Sequence, residues 1–430
     1  MRTKLFKVSK KIVIISLISI FGVVGIVACG GSSGITGSDS DFIQITDIPD
    51  TEITKQLNSD LPNWGLEYKV ELKKPEPESA SYYVIRYSSG SKLDKASMLY
   101  IARTDNLQIY VEDGYSYNKE YIIYVASKFE NNYKQMTNIY GTHTDVDNNG
   151  KIKLLFININ GNNRNNVMVA GYFFPNDLIY GSANNGEILY MDINLLNSNP
   201  QDIGATVLHE FQHLINFNVN YVRKGRRMSL WLDESLAEST AVLFDNVSLQ
   251  WRIREFNNID YYCFYTWNLP SPYGDYFINY PSASMFMNWL YIKNGRNADI
   301  FKRIASSSQT QDYNKVLYAV SGNNWGNLLT DWINGVKNGA VSGAYIRSRS
   351  SATLYPGALI YDGSKIHVNP STELANPFSY AITVSKGNSI SGRSAINNDE
   401  EEINLQNTEN NQKTKYIDLV FDINGKIREY

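Results

Sequence analysis

Two cysteines, Cys29 and Cys263, are all that the 430 residues contain. One disulfide is the most the chain can form, and none if either thiol is used elsewhere, so stability must come from core packing and bound metal. Histidine is also scarce, at four residues. A basic excess is missing as well: 40 basic residues stand against 43 acidic ones, a net charge of -3. The first 28 residues hold Arg2, Lys4, Lys7, Lys10 and Lys11 and no acid, leaving 35 basic against 43 acidic residues in the remainder, or -8. Such a body is poorly suited to phosphate backbones, which excludes nucleic acid as the expected partner. No internal repeat is present. What the chain does have is 43% hydrophobic and 13% aromatic content, enough to fill real cores and to exclude disorder as a description of the whole.

The five basic residues precede an apolar run from Ile12 to Ala28, broken only by Ser16 and Ser19. That run is marginal for a bilayer span and has the layout of an export signal. It closes on Ile26-Val27-Ala28-Cys29-Gly30, which resembles the lipobox of bacterial lipoproteins. The resemblance implies a signal peptide over residues 1–28, lipidation of Cys29, and anchoring of the exported chain to the outer membrane or cell surface. An uncleaved membrane anchor with an incidental cysteine is the alternative. Residues 29–45, opening Gly30-Gly31-Ser32-Ser33-Gly34, read as a flexible tether. Cys263, in an aromatic stretch, reads as a small buried hydrophobe.

Residues 46–115 alternate apolar and polar side chains in short runs, as in Tyr82-Tyr83-Val84-Ile85-Arg86-Tyr87 and Leu107-Gln108-Ile109-Tyr110-Val111. Period two predicts a small β-rich module there. Between Asn118 and Tyr140 the apolar residues take helical spacing instead. Strand-like runs at 151–158 and 187–193 precede a further helix, an α+β order, and residues 116–340 read as one catalytic domain. Its later part, from Ser282 to about Asn338, is predicted helical, with Met285, Phe286, Trp289 and Leu290 on one face. Strands return in residues 341–430, at Ala358-Leu359-Ile360-Tyr361 and Ile417-Asp418-Leu419-Val420-Phe421. The acidic, amide-rich stretch 397–415 reads as a disordered loop.

The chemistry starts at His209-Glu210-Phe211-Gln212-His213. Residues four apart lie one helical turn apart on the same face, so His209 and His213 can both aim an imidazole at one zinc ion. Glu210 lies beside the ion without ligating it, where a general base can take the proton from a water attacking a carbonyl. Asn199-Pro200 supplies cap and first residue, Asp202 lies in the first turn, and Val207, Leu208, Phe211, Leu214 and Ile215 form the buried side. Catalytic zinc wants a third protein ligand, and Trp231-Leu232-Asp233-Glu234-Ser235-Leu236-Ala237-Glu238 offers one. Glu234, an acid among apolar neighbours, is the candidate. Glu238, one turn on, is predicted to accept the free N–H of a ligand imidazole, that of His209.

Together, His-Glu-Phe-Gln-His and Trp-Leu-Asp-Glu-Ser-Leu-Ala-Glu resemble the gluzincin clan of zinc peptidases. Within that clan the chain is most similar to the hyicolysin-type neutral metallopeptidases, over about residues 144–338. Gly171-Tyr172-Phe173, Glu187-Ile188-Leu189-Tyr190-Met191-Asp192 and Tyr280-Pro281-Ser282-Ala283-Ser284-Met285-Phe286 support the match. The resemblance implies a gluzincin-like domain with one Zn2+ and protein or peptide substrates, in a chain expected to be a monomer with β-rich ends. It also implies that the strand before the zinc helix, Ile188, Leu189, Tyr190 and Met191, pairs with an extended substrate. A donor for the oxyanion is needed too, and since His367 lies far along the chain, a tyrosine is expected. Tyr280, preceding a helix of small and apolar residues, is the candidate, with Tyr273 and Tyr276 as rivals and simple packing as the bland alternative. The aminopeptidase branch carries an acidic amine-binding motif before its zinc helix, whereas Gly181-Ser182-Ala183-Asn184-Asn185-Gly186 has no acid. Endopeptidase is therefore the expected activity.

Asp145-Val146-Asp147-Asn148-Asn149-Gly150 matches the first half of a calcium loop, through Asp145, Asp147 and Asn149. The bidentate glutamate due six residues after the glycine is Phe156 instead. An ordinary helix-to-strand turn and a non-helical Ca2+ site both remain open. Two functions of different class compete: a zinc endopeptidase acting on extracytoplasmic proteins, and a catalytically silent surface lipoprotein that binds a host or envelope ligand on a retained scaffold. None of His209, Glu210, His213 and Glu234 is missing, which weighs against the second.

Overall fold

The computed structural model describes residues 51–54, 69–72, 80–87, 91–161, 167–178, 184–264, 276–373, 377–385 and 415–419. Cys29, the predicted signal and tether, and the 397–415 loop up to its last residue lie outside the described residues. Among those described, no helix is long and apolar enough to cross a membrane.

The alternating N-terminal runs form strands, namely β1 (Thr51–Thr54), β2 (Lys69–Leu72), β3 (Ala80–Tyr87), β4 (Ser91–Arg103) and β5 (Leu107–Glu112). Helix α1 (Lys119–Tyr140) follows, its N-terminus closed by the Asn118 side chain, which accepts from the Glu120 amide. Strands β6 (Ile152–Ile157), β7 (Val167–Phe173) and β8 (Ile188–Asp192) come next. The order β1-β2-β4-β5-β6-β8-β7 then makes one sheet, with β3 paired to β4.

This corrects the expectation of a separate N-terminal module. β5 pairs in parallel with β6, Ile109 opposite Leu154, so the ladder continues without a break from the N-terminal strands into those beyond residue 116. Val84, Ile109 and Val111 belong to the same buried cluster as Ile122, Leu154 and Leu208. A sheet whose hydrogen bonds and core run across residue 115 has no domain boundary there.

After β8 the chain turns through α2 (Ile193–Ser198) into α3 (Pro200–Asn216) and, beyond a π-helical turn Phe217–Val222, enters the helical half. That half holds α4 (Leu230–Phe244), α5 (Asn246–Phe256), α6 (Tyr276–Lys293), α7 (Asp299–Ser306), α8 (Tyr313–Ser321) and α9 (Trp325–Lys337). α6 starts earlier than its apolar face suggests, with Pro281 inside it. The centre of this half is aromatic: the Trp231 ring lies 5.0 Å from Phe264, 5.0 Å from Tyr313 and 5.2 Å from Trp325. Each such pair adds about 0.5–1.5 kcal/mol to the gain from burial, which fixes α4 where its carboxylates are needed.

The C-terminal strands β9 (Ser351–Leu354), β10 (Leu359–Tyr361), β11 (Ile366–Val368) and β12 (Ile382–Ser385) form two short antiparallel pairs, β10 with β11 and β12 with β9. Leu354, Ile360 and Val384 share a second buried cluster with Tyr261 and Cys263, the latter fully buried. Strand β13 (Lys415–Leu419) leaves this region and pairs in parallel with β7.

Candidate metal centre

Helix α3 is buried along nearly its whole length, and two contacts explain how it lies so close to its neighbours. A Cβ at Gly171 in β7 would stand 2.8 Å from Thr206 Cγ2 and 2.8 Å from the Tyr190 carbonyl oxygen. A Cβ at Gly204 would stand 2.9 Å from Tyr124 Cε1 on α1. Only glycine allows these approaches, and they set the depth of α3 between the sheet and α1. Phe211 is locked beneath Tyr133, whose ring stacks on it at 5.5 Å. The helix starts as the sequence suggests: Asn199 precedes Pro200, and Asn199 Nδ2 donates to Asp202 Oδ2 at 2.5 Å.

On the opposite side α3 faces α4, and the expected groups meet there. His209 Nε2 and His213 Nε2 lie 3.2 Å apart. Glu234 Oε2 stands 3.7 Å from the first and 3.5 Å from the second. Tetrahedral coordination at about 2.0–2.2 Å places ligand atoms roughly 3.3–3.6 Å apart, so the three atoms fit one face of a zinc tetrahedron. Glu234 is completely buried, and among the described residues neither of its oxygens accepts a hydrogen bond. An unbonded buried carboxylate is costly, and a cation at this point removes the cost. His209 and His213 are buried as well, at 6% and 8% exposed. Glu210, 1% exposed, adjoins His209 on the same helix.

Electrostatics agree with the geometry. Burial alone would favour neutral His213, but Glu234 and Asp233 outweigh it and hold the imidazole pKa well above its ordinary value. Burial likewise acts to raise the Glu234 carboxyl, yet His213 and His209 keep it well below the usual carboxylate range. A proton therefore takes the cation's place in the metal-free centre.

Four expectations need correction. Glu238 does not receive the His209 N–H: Glu238 Oε1 is 3.8 Å from His209 Nδ1, and Arg252 holds both its oxygens, at 2.8 Å through Nε and 2.6 Å through Nη2. The oriented imidazole is that of His213, whose Nδ1 donates to Asp233 Oδ1 at 3.0 Å and so leaves Nε2 as the ligand atom. Asn216 Nδ2 also donates to Asp233 Oδ1, at 2.6 Å. Asp233 and Asn216 were missed, although an acid next to Glu234 on a helix start was a usable signal.

Second, Ile188, Leu189, Tyr190 and Met191 cannot receive a substrate strand. They lie in β8, which is paired in parallel with β6 on one side and antiparallel with β7 on the other. No backbone edge is left on β8 for augmentation. Third, Tyr280 does not precede a helix but lies within α6. Fourth, the 397–415 stretch is not loop to its end, since Lys415 opens β13.

Tyr280 is 1% exposed, with its ring centroid 6.3 Å from that of His209 and the Arg252 Cζ 4.8 Å from its own. It therefore borders the centre. Tyr273 lies outside the described residues, and Tyr276 opens α6. His367 is elsewhere, on β11, with Nε2 2.7 Å from Asp362 Oδ2. Asp145, Asp147 and Asn149 form a turn between α1 and β6 and are not among the atoms that converge here.

Asp233 supports a direct prediction. The Asp233→Asn variant should bind zinc about 10–100-fold more weakly, because the His213 tautomer and ring orientation are no longer imposed. Competition against a chromophoric chelator measures this, and an unchanged affinity would remove Asp233 from any orienting role.

No family model matches the chain. It is 27% identical over 214 residues to the neutral metalloprotease ShpI of Staphylococcus hyicus, a match covering 46% of this chain and 48% of that protein. The chain thus spans about half the length of the curated relative, and what the match adds to the buried His209, His213 and Glu234 triangle is similarity to a neutral metalloprotease.

Proposed function

We propose that the chain is a zinc-dependent endopeptidase that hydrolyses peptide bonds of extracytoplasmic proteins. One observation carries this reading: three buried ligand atoms, from His209, His213 and Glu234, converge at the spacing of one face of a zinc tetrahedron. The similarity to a neutral metalloprotease supports the choice of reaction.

Zinc held by these three residues supplies a Lewis acid that polarises a peptide carbonyl and makes water a better nucleophile. Glu210, adjacent to His209, takes the proton of the attacking water and returns it to the leaving amine. Asp233 holds His213 in the ligating tautomer. Arg252 fixes Glu238 and covers the Tyr280 ring, which keeps Tyr280 beside the centre as the donor for the developing oxyanion. Endopeptidase is preferred because residues 181–186 offer no acid to bind a substrate amine. The export pattern of residues 1–28 and Cys29 supports a lipid-anchored protein facing extracytoplasmic substrates.

The test is metal analysis combined with a protein-cleavage assay. The purified chain should hold one zinc and lose cleavage in a zinc chelator, with recovery on adding zinc back. Zinc affinity should rise with pH through the neutral range, since the proton on His213 must leave before the metal binds and its raised pKa extends that competition upward. A chain that holds no stoichiometric metal, or that cleaves equally well without it, is not a zinc peptidase.

A further inference from the structure

A second cluster lies where α1 gives way to β6. One carboxylate oxygen from each of Asp145, Asp147 and Glu187 lies within 4.8 Å of the other two. The first two acids belong to the loop Asp145-Val146-Asp147-Asn148-Asn149-Gly150, which is folded by its own side chains. Asp145 Oδ1 accepts from the Gly150 amide at 3.1 Å, Asp147 Oδ1 from the Asn149 amide at 3.3 Å, and Asn149 Oδ1 from the Lys151 amide at 2.6 Å. Gly150 has φ 64° and Asn148 φ 56°, the left-handed conformation that lets the loop curl round a centre.

Folding of this kind does not by itself imply a ligand. Glu187 does. It precedes β8, is completely buried, and its Oε1 accepts from the Val146 amide at 2.9 Å. Its Oε2 accepts no hydrogen bond among the described residues. A buried carboxylate oxygen left unsatisfied beside two other carboxylates calls for a positive charge. Lys153 supplies part of it by pairing with Asp147 Oδ2. Three carboxylates against one ammonium still leave two negative charges, the amount one divalent cation neutralises.

We propose that Asp145, Asp147, Asn149 and Glu187 form a Ca2+ site in which Glu187, from another strand, replaces the glutamate that the loop lacks at Phe156. The three converging groups are all carboxylates, which suits a hard cation, and among the described residues no histidine or cysteine belongs to the cluster. Asn149 Nδ2 donates to Asp147 Oδ2 at 2.7 Å, so its amide turns when it ligates. Gly186 fits this close quarters: a Cβ there would stand 3.1 Å from Asp147 Oδ2 and overlap the Lys153 ammonium. Bound calcium ties the turn after α1 to the start of β8. The segment just before this turn touches α3 and the π-helical turn after it, since the His143 ring lies 5.9 Å from Phe211 and Asn218 Nδ2 donates to the Thr142 carbonyl at 2.6 Å.

The test uses the full chain, freed of metals on a chelating resin and reloaded with one equivalent of zinc. Calorimetric titration with Ca2+ should give one site with Kd in the range of roughly 0.1–1 mM, typical of extracellular modules, and Mg2+ should not replace it. Glu187→Gln and Asp145→Asn should each weaken Ca2+ binding at least about tenfold, the step that one lost carboxylate contact of 1.4 kcal/mol represents. Zinc content should be unchanged in both. Should Glu187→Gln fail to fold, Asp145→Asn on the exposed loop decides. The proposal is overturned if the wild type binds no Ca2+ at millimolar concentration, or if the folded variants titrate like the wild type. The site does not depend on peptidase activity, so neither result bears on the zinc centre.

Discussion

Replacing Glu210 by Gln should reduce peptide hydrolysis by about 10²–10⁴-fold while leaving zinc content intact, because the amide keeps the shape and loses the base. Glu210 is 1% exposed on α3 and Gln is close to isosteric, so the fold should tolerate the change. The loss should appear in kcat rather than in KM, as for an interaction made only in the transition state. Steady-state kinetics with zinc analysis of the same preparation measures both. Wild-type kcat in a zinc-loaded Glu210→Gln chain would remove Glu210 from the proton transfer.

Glu234→Gln should behave in the opposite way, losing the metal first and activity only in consequence. The carboxylate is the one anionic member of the triangle, and it is wholly buried. Its loss should weaken zinc binding by more than the roughly 100-fold at the upper end for an outer-shell partner. In the metal-free chain the same change removes the buried carboxylate that faces protonated His213, so some loss of stability should accompany it. Thermal unfolding with and without excess zinc separates the effects: in the variant the zinc-dependent rise in Tm should shrink or vanish. The two glutamates are thus distinguished by what fails first, turnover at Glu210 and metal retention at Glu234.

What sequence could reveal here was local. The α3 helix was legible because its cap, its apolar side and the four-residue spacing of its histidines all fall within one stretch. Glu234 was legible as an acid that solvation explains poorly among Trp231, Leu232 and Leu236. Partners from distant segments were not. Arg252 lies on α5, and nothing near Glu238 announces that it takes both carboxylate oxygens. The order β6-β8-β7 places the later strand inside the earlier one, an arrangement that period and composition do not encode. One signal was still available: all five residues of β8 are buried, as in a strand covered on both faces, and its run Ile188-Leu189-Tyr190-Met191 is continuously apolar. The acidic loop at Asp145 was half visible for the same reason, since Glu187 reaches Asp145 only after β6 and β8 have paired.

The pairing of β13 with β7 has a consequence for how the molecule is assembled. Val167 is matched with Lys415, so the ladder at this end of the sheet joins segments separated by the entire helical half and the C-terminal hairpins. Contacts of such sequence separation close late, because the loop entropy comes before the hydrogen bonds that offset it. During synthesis the backbone groups along one side of β7 emerge long before their partner does. Over that interval the strand on which α3 is seated is an open template for pairing with another nascent chain.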